Sequence, residues 1–227
     1  MLNLAAGGYT EQQVIDSLHG RNGSRGKVTF RYELLSKDDV KLGELTAQPG
    51  RVAMNSLAEI KRTAMFQVTE QEGQDIDWLS DRIRPVFCLQ MPGGTAEWPL
   101  GVFILSSPTR KDENKQIKRS VEAYDSSLIL KEDRFTDRYF IAAGTKYTAA
   151  ITVILNAAGI WKINIIDHAG TLETDREFEI GTTKLTAVNE LLAAINYTSL
   201  WVDGNGFFVA RPYVLPTDRD PEYEYRT

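Results

Sequence analysis

Two histidines, one cysteine and a scatter of carboxylates are the side chains of this 227-residue sequence that could do acid–base, nucleophilic or metal chemistry. His19 ends a predicted helix, where an imidazolium would favour the helix dipole. His168 stands in Asp167-His168-Ala169-Gly170, a turn. Adjacent residues on a strand or turn point apart, so Asp167 and His168 make no dyad, and no Gly-x-Ser-x-Gly elbow supplies a nucleophile. There is no HExxH, no CxxC and no grouped His/Cys set, so neither a metal nor a cofactor is expected. Cys88 falls in the apolar run Val86-Phe87-Cys88-Leu89 and reads as a small buried hydrophobe. Gly20 to Gly26 lacks the Lys-Ser/Thr end of a phosphate loop and follows no strand. Glu70, Glu72, Asp75 and Asp77 could serve a glycosidase only from opposite sides of a cleft; they read as a solvated acidic loop. Arg110, Lys111, Lys115, Lys118 and Arg119 bracket a turn and read as an exposed hairpin end rather than a nucleic-acid patch. No enzymatic activity is expected.

The aromatic residues are the remaining candidates. Trp78 sits in the acidic loop Asp75-Ile76-Asp77-Trp78-Leu79, and Trp98 follows the turn Pro92-Gly93-Gly94. A large apolar ring in a loop either covers a core or anchors an interface, where Trp is a favoured hot spot. A sugar-stacking platform is a third use. Trp78 and Trp98 are therefore the candidate interface residues.

The elements that must position them follow from periodicity. Hydrophobic residues make up 42% and charged residues 25%, enough apolar content to bury a core. A net charge of -5 disfavours a partner bound through phosphate neutralisation. The lone cysteine excludes an intramolecular disulfide. No run reaches the roughly 18 apolar residues of a membrane span, and the N-terminus has no basic leader, so a chain made in a cytoplasm that stays soluble, or leaves only as part of a particle, is expected. Thr10-Glu11-Gln12-Gln13 predicts a capping box, with Val14, Ile15 and Leu18 as the buried stripe and Gly20 as the stop. From residue 27 the period drops to two. Val28, Phe30, Tyr32 and Leu34 predict one face of a strand, and Val40–Ala47 its return. Further strands are predicted over 58–68, 82–91, 100–106 and 115–124, with Pro85 marking an edge or bulge and a turn at 111–114. In the second half, Tyr147 to Ala158 and Leu185 to Ile195 have helical spacing. Short strands are read at 139–143 and 161–166. Asp203-Gly204-Asn205-Gly206 predicts a hairpin turn. The fold class is mainly β with α+β: an N-terminal helix and connector (1–26), an antiparallel β-barrel or sandwich (27–133) and a small α+β domain (134–227).

Four stretches in this order resemble one family. Trp98 to Leu105 places Gly101, Phe103 and Leu105 after Trp98 as in a strand of phage tail hub proteins. Val121 to Leu128 resembles the strand that closes their first barrel with an Asp, here Asp125. Gly144–Gly159 followed by Thr182–Asn196 resembles their two-helix unit, and Leu200 to Pro212 its hairpin. The resemblance covers roughly residues 27 to 213. It implies a tail-tip or baseplate hub that connects the tail tube to distal tail proteins, a fibre or a lysin. Such a protein is a homotrimer in the virion, made in the host cytoplasm, with no nucleic-acid partner and no membrane insertion. Members of the family typically carry two barrel-like domains per chain. Fifteen residues follow Pro212, so a second barrel and a lysin domain are expected to be missing, as in a fragment or a shorter relative. Two other uses stay open: a carbohydrate-binding host-recognition module, which needs an exposed aromatic platform, and a peptidoglycan hydrolase, which needs convergent carboxylates in a deep cleft.

Overall fold

A computed structural model describes residues 4–21, 26–71, 75–113 and 116–219. Its first unit contains α1 (Glu11–Leu18) and seven antiparallel strands: β1 (Val28–Leu35), β2 (Lys41–Met54), β3 (Arg62–Thr69), β4 (Arg82–Met91), β5 (Gly94–Pro99), β6 (Phe103–Glu113) and β7 (Gln116–Asp125). The pairings run β1-β2-β3-β7-β6-β4 and close through β1–β4, so six strands form a ring while β5 hangs on β4. The inward residues Tyr32, Leu34, Leu45, Phe66, Val68, Ile83, Phe103, Leu105 and Val121 form one buried cluster. Phe66 meets Tyr32 and Phe103 edge-on, with centroids 5.8 and 5.9 Å apart. Burying each such ring contributes about 1.5–3 kcal/mol.

Several elements depart from the pattern read in sequence, each for a physical reason. Pro85 marks neither an edge nor a bulge. Its carbonyl accepts from Leu100 N at 2.9 Å, and one residue's N–H and C=O point to the same side of a strand. Its missing N–H therefore faces the gap where β4 changes partner from β6 at Arg82 and Ile83 to β5 at Val86. Ala58 and Ile60 lie in a loop closed by Asn55 N on Lys61 O, not in β3. The strand β5 has no counterpart in the sequence pattern, and β6 runs through the expected turn to Glu113, with residues 114–115 outside those described. Val28 and Phe30 share the inward phase of β1 but stay half exposed, because here β1 and β4 extend past the ring. On that extension α1 buries Val14 against Leu89, Met91 and Ala96. The capping box of Thr10 and Gln13 forms as expected. Ser17, not Leu18, joins Val14 on the buried side.

The second unit holds α2 (Ser127–Glu132), β8 (Tyr139–Ile141), α3 (Tyr147–Ala157), β9 (Ile163–Ile165), β10 (Arg176–Phe178), α4 (Lys184–Ala194), β11 (Trp201–Val202) and β12 (Phe208–Ala210). Leu130 of α2, Ile151, Ile154 and Leu155 of α3, and Leu185, Val188 and Leu192 of α4 share a core with Val202 and Phe208. The strand β12 pairs antiparallel with β11 and parallel with β9. The β11–β12 turn forms at the predicted residues, with Asp203 Oδ1 accepting from Asn205 N and Phe207 N and with Gly206 at φ +86°. Gly159, at φ +76°, follows α3 as the expected stop. Among the described residues no helix is long and apolar enough to cross a membrane.

Candidate assembly surface

The side chains that could do chemistry are engaged in local structure. His168 Nδ1 accepts from Gly170 N at 3.0 Å, and its ring meets Tyr197 edge-on. Asp167 is turned to Lys146 and to Thr148 Oγ1, and the Lys146 hydrogen bond holds its carboxyl below the usual range. His19 is the C-cap of α1. Burial pushes the Cys88 thiol up, away from the thiolate a nucleophile needs. In the acidic loop Glu70 pairs with Arg119, and Asp77 accepts from Ser80 Oγ at 2.6 Å and from Leu79 N at 3.0 Å. Glu72 lies outside the described residues. Among those described, no three His, Cys, Asp or Glu side chains gather where they could hold a metal ion.

The basic run occupies the end of the β6–β7 hairpin. Arg110 stands opposite Arg119 and Lys111 opposite Lys118. Like charges so placed repel; Arg110 pairs with Asp112 at 3.0 Å and Arg119 with Glu70. Lys115 lies outside the described residues. On the outer side of β1, Glu33 is only 5% exposed in its side chain and is held by Arg84 at 2.7 Å and by Arg31 and Lys41 at 3.1 Å. Burial pushes this carboxyl up, but the hydrogen bonds from Arg84 and Lys41 outweigh it and hold the group below its ordinary value. Arg31 also clamps Glu97 of β5 with two hydrogen bonds of 2.7 and 2.8 Å.

The two tryptophans singled out from sequence sit apart. Trp78 is half-buried against the barrel cluster with the Arg119 guanidinium 5.0 Å from its ring. Trp98 is half-buried beside Phe87, in the cluster that α1 covers. Its Nε1 is buried with no acceptor among the described residues. The most exposed tryptophan is one that patterning did not single out. Trp161, 74% exposed, follows α3, whose outward positions Ala149, Val153 and Ala157 carry no charge. The one sequence signal for it was its place directly after the Gly159-Ile160 helix stop. Leu57 and Leu79 add two more exposed apolar side chains on barrel loops. Exposed apolar side chains thus occur on both units, and singly placed ones of this kind are ordinary on a protein surface.

No protein-family model and no curated protein sequence matches the chain. Solved structures do. The chain is similar to the 43 kDa tail protein of prophage MuSo2 from Shewanella oneidensis, with a TM-score of 0.54 and 12% identity, over 81% of this chain and 56% of that one. It is also similar to the tail protein from Neisseria meningitidis MC58, with a TM-score of 0.53 and 10% identity, over 80% of this chain and 50% of that one. A third likeness, with a TM-score of 0.51 and 11% identity, is to a chain of a PdpA–VgrG complex, over 82% of this chain and 35% of that one. The fold is that of tail proteins, so the resemblance to the tail hub group read from sequence holds at the level of the fold. The chain spans about half the length of the two tail proteins it matches.

Proposed function

We propose that this chain is a hub-like structural component of a phage-type tail tip or baseplate, joining the tail tube to distal tail proteins as a homotrimer in the particle. The observation that carries this reading is the extent of the likeness to tail proteins. A match over 81% of the chain cannot be confined to either the barrel or the α+β unit, so the two are shared in combination. A chain of the same fold occurs in a complex of PdpA with VgrG, which supports assembly with a second protein as the mode of action. The reading assigns no catalysis, and the engagement of His168, Asp167 and Cys88 in turns and core supports that. Trp78 and Trp98, both half-buried, are assigned to intersubunit or inter-protein contacts.

The test is deletion of the gene in the strain that encodes it, followed by electron microscopy and mass spectrometry of purified particles. Tails should be absent or arrested at short assemblies, and complementation should restore them. Tails of normal form, from wild-type particles that lack this chain, would refute the reading.

A further inference from the structure

No hydrophobic cluster spans the junction between the two units. Each of the three hydrophobic clusters lies wholly on one side of it, with no residue beyond Val121 and Ala123 in the two barrel clusters and none before Ile129 in the other. Units without a shared apolar core move relative to each other by default. Here a few specific contacts cross. Asp39, in the β1–β2 turn, has a left-handed backbone (φ 61°), and its side chain is 6% exposed. Its Oδ1 accepts from Arg82 Nη1 of β4 at 2.7 Å, within the barrel. Its Oδ2 accepts from Lys162 Nζ of the second unit at 2.6 Å. The same ammonium lies 3.4 Å from Asn205 O and 5.6 Å from the Phe207 ring centroid, so it also grips the β11–β12 turn.

That turn is shaped to lie against the barrel. A Cβ on Gly204 would stand 2.4 Å from Pro99 O. One on Gly206 would stand 3.2 Å from Val102 Cγ2 and 3.4 Å from Asp39 Oδ2. Arg62 of β3 donates to Leu100 O in the same segment. Lys131 of α2 also pairs with Glu59 of the β2–β3 loop at 3.0 Å.

We propose that Lys162 and the Asp203–Gly206 turn form a latch that holds the α+β unit in one orientation on the barrel, and that breaking the Lys162–Asp39 pair opens it. Asp39 keeps Arg82 when Lys162 leaves, so opening strands no unpaired carboxylate, and each unit keeps its own core. The closed latch makes the chain a rigid spacer between whatever binds the barrel and whatever binds the second unit.

Native-state hydrogen exchange on the full chain tests this with Lys162→Met, which removes the ammonium and keeps an apolar stem. Backbone amides of Gly206 and Phe207 should exchange about tenfold faster or more, while Leu100 N, bonded to Pro85 O inside the barrel, and the amides of Leu155 in α3 and Val68 in β3 stay unchanged. Gly204→Ala, which forces the turn off Pro99 without touching any charge, should give the same local pattern. Unchanged exchange at the turn in a folded Lys162→Met would overturn the latch. Faster exchange throughout both cores, or loss of folding in both variants, would overturn it too, by making these contacts part of one global fold.

Discussion

Glu33 lets the energetics of the barrel wall be tested in isolation. Glu33→Gln keeps the shape and removes the charge from a side chain 5% exposed among Arg31, Lys41 and Arg84. Breaking a buried pair by neutralising one partner costs about 3–5 kcal/mol when the other is left alone. Here only Arg84 is left alone, since Arg31 retains Glu97 and Lys41 retains Glu44. All three cations are also partly exposed. The cost should therefore be nearer that of one charged hydrogen bond, about 1.5–3 kcal/mol. For a chain of this size that lowers the melting midpoint by roughly 3–12 °C. Urea unfolding and calorimetry at pH 7 measure it. The pH dependence fixes the cause. The folded carboxyl sits below its ordinary value of 4.5, so its contribution is full above about that pH and is lost as pH falls through the folded value. A protonated Glu33 and the glutamine that replaces it in the variant are then nearly equivalent, and the gap between wild type and variant should close in acid. Equal stability at pH 7, or a gap that persists undiminished at the lowest pH where both fold, would refute the charge network as the source.

Gly50→Ala should destabilise the barrel by about 1–3 kcal/mol in urea titration, because the new Cβ would stand 2.3 Å from Met65 O at the β2 bulge. Trp78→Ala should leave the isolated chain with one cooperative melt but reduce its recovery in purified particles; loss of that melt would assign the ring to the core. Zymography on purified cell wall should show no clearing, and clearing abolished by changing one carboxylate would overturn the non-enzymatic reading. Light scattering at micromolar concentration should find a monomer or weak oligomer, and a trimer that survives dilution would overturn that expectation.

What was legible in sequence was what local forces decide. The capping box at Thr10, the strand Arg82–Met91, the helices around Ile151 and Val188, and the Asp203–Gly206 turn each depend on residues a few positions apart, and each stands where patterning put it. The misses depend on neighbours far along the chain. Val28 and Phe30 have the inward phase, but phase names a face and not what covers it. Glu33 has the outward phase and is buried all the same, because Arg84, fifty-one positions on, closes over it. The strand β5 escaped because Pro92-Gly93-Gly94 reads as a turn, whereas β4 supplies the ladder that makes Gly94–Pro99 extended. Trp161 escaped because exposure is not a property of local pattern. The same division accounts for a chain that shares its fold with tail proteins at 10–12% identity. Inward positions need only apolar side chains of suitable volume, so most core identities are free to drift. Positions fixed by backbone geometry have fewer alternatives. Gly50 stands against Met65 O, Gly204 stands against Pro99 O, and Asp39 has a left-handed backbone. If assembly depends on the relation between the two units, substitutions at Gly204 and Lys162 should impair particles more than substitutions of equal stability cost inside either core. Particle yield plotted against unfolding free energy for both classes measures this, and a single common line would count against it.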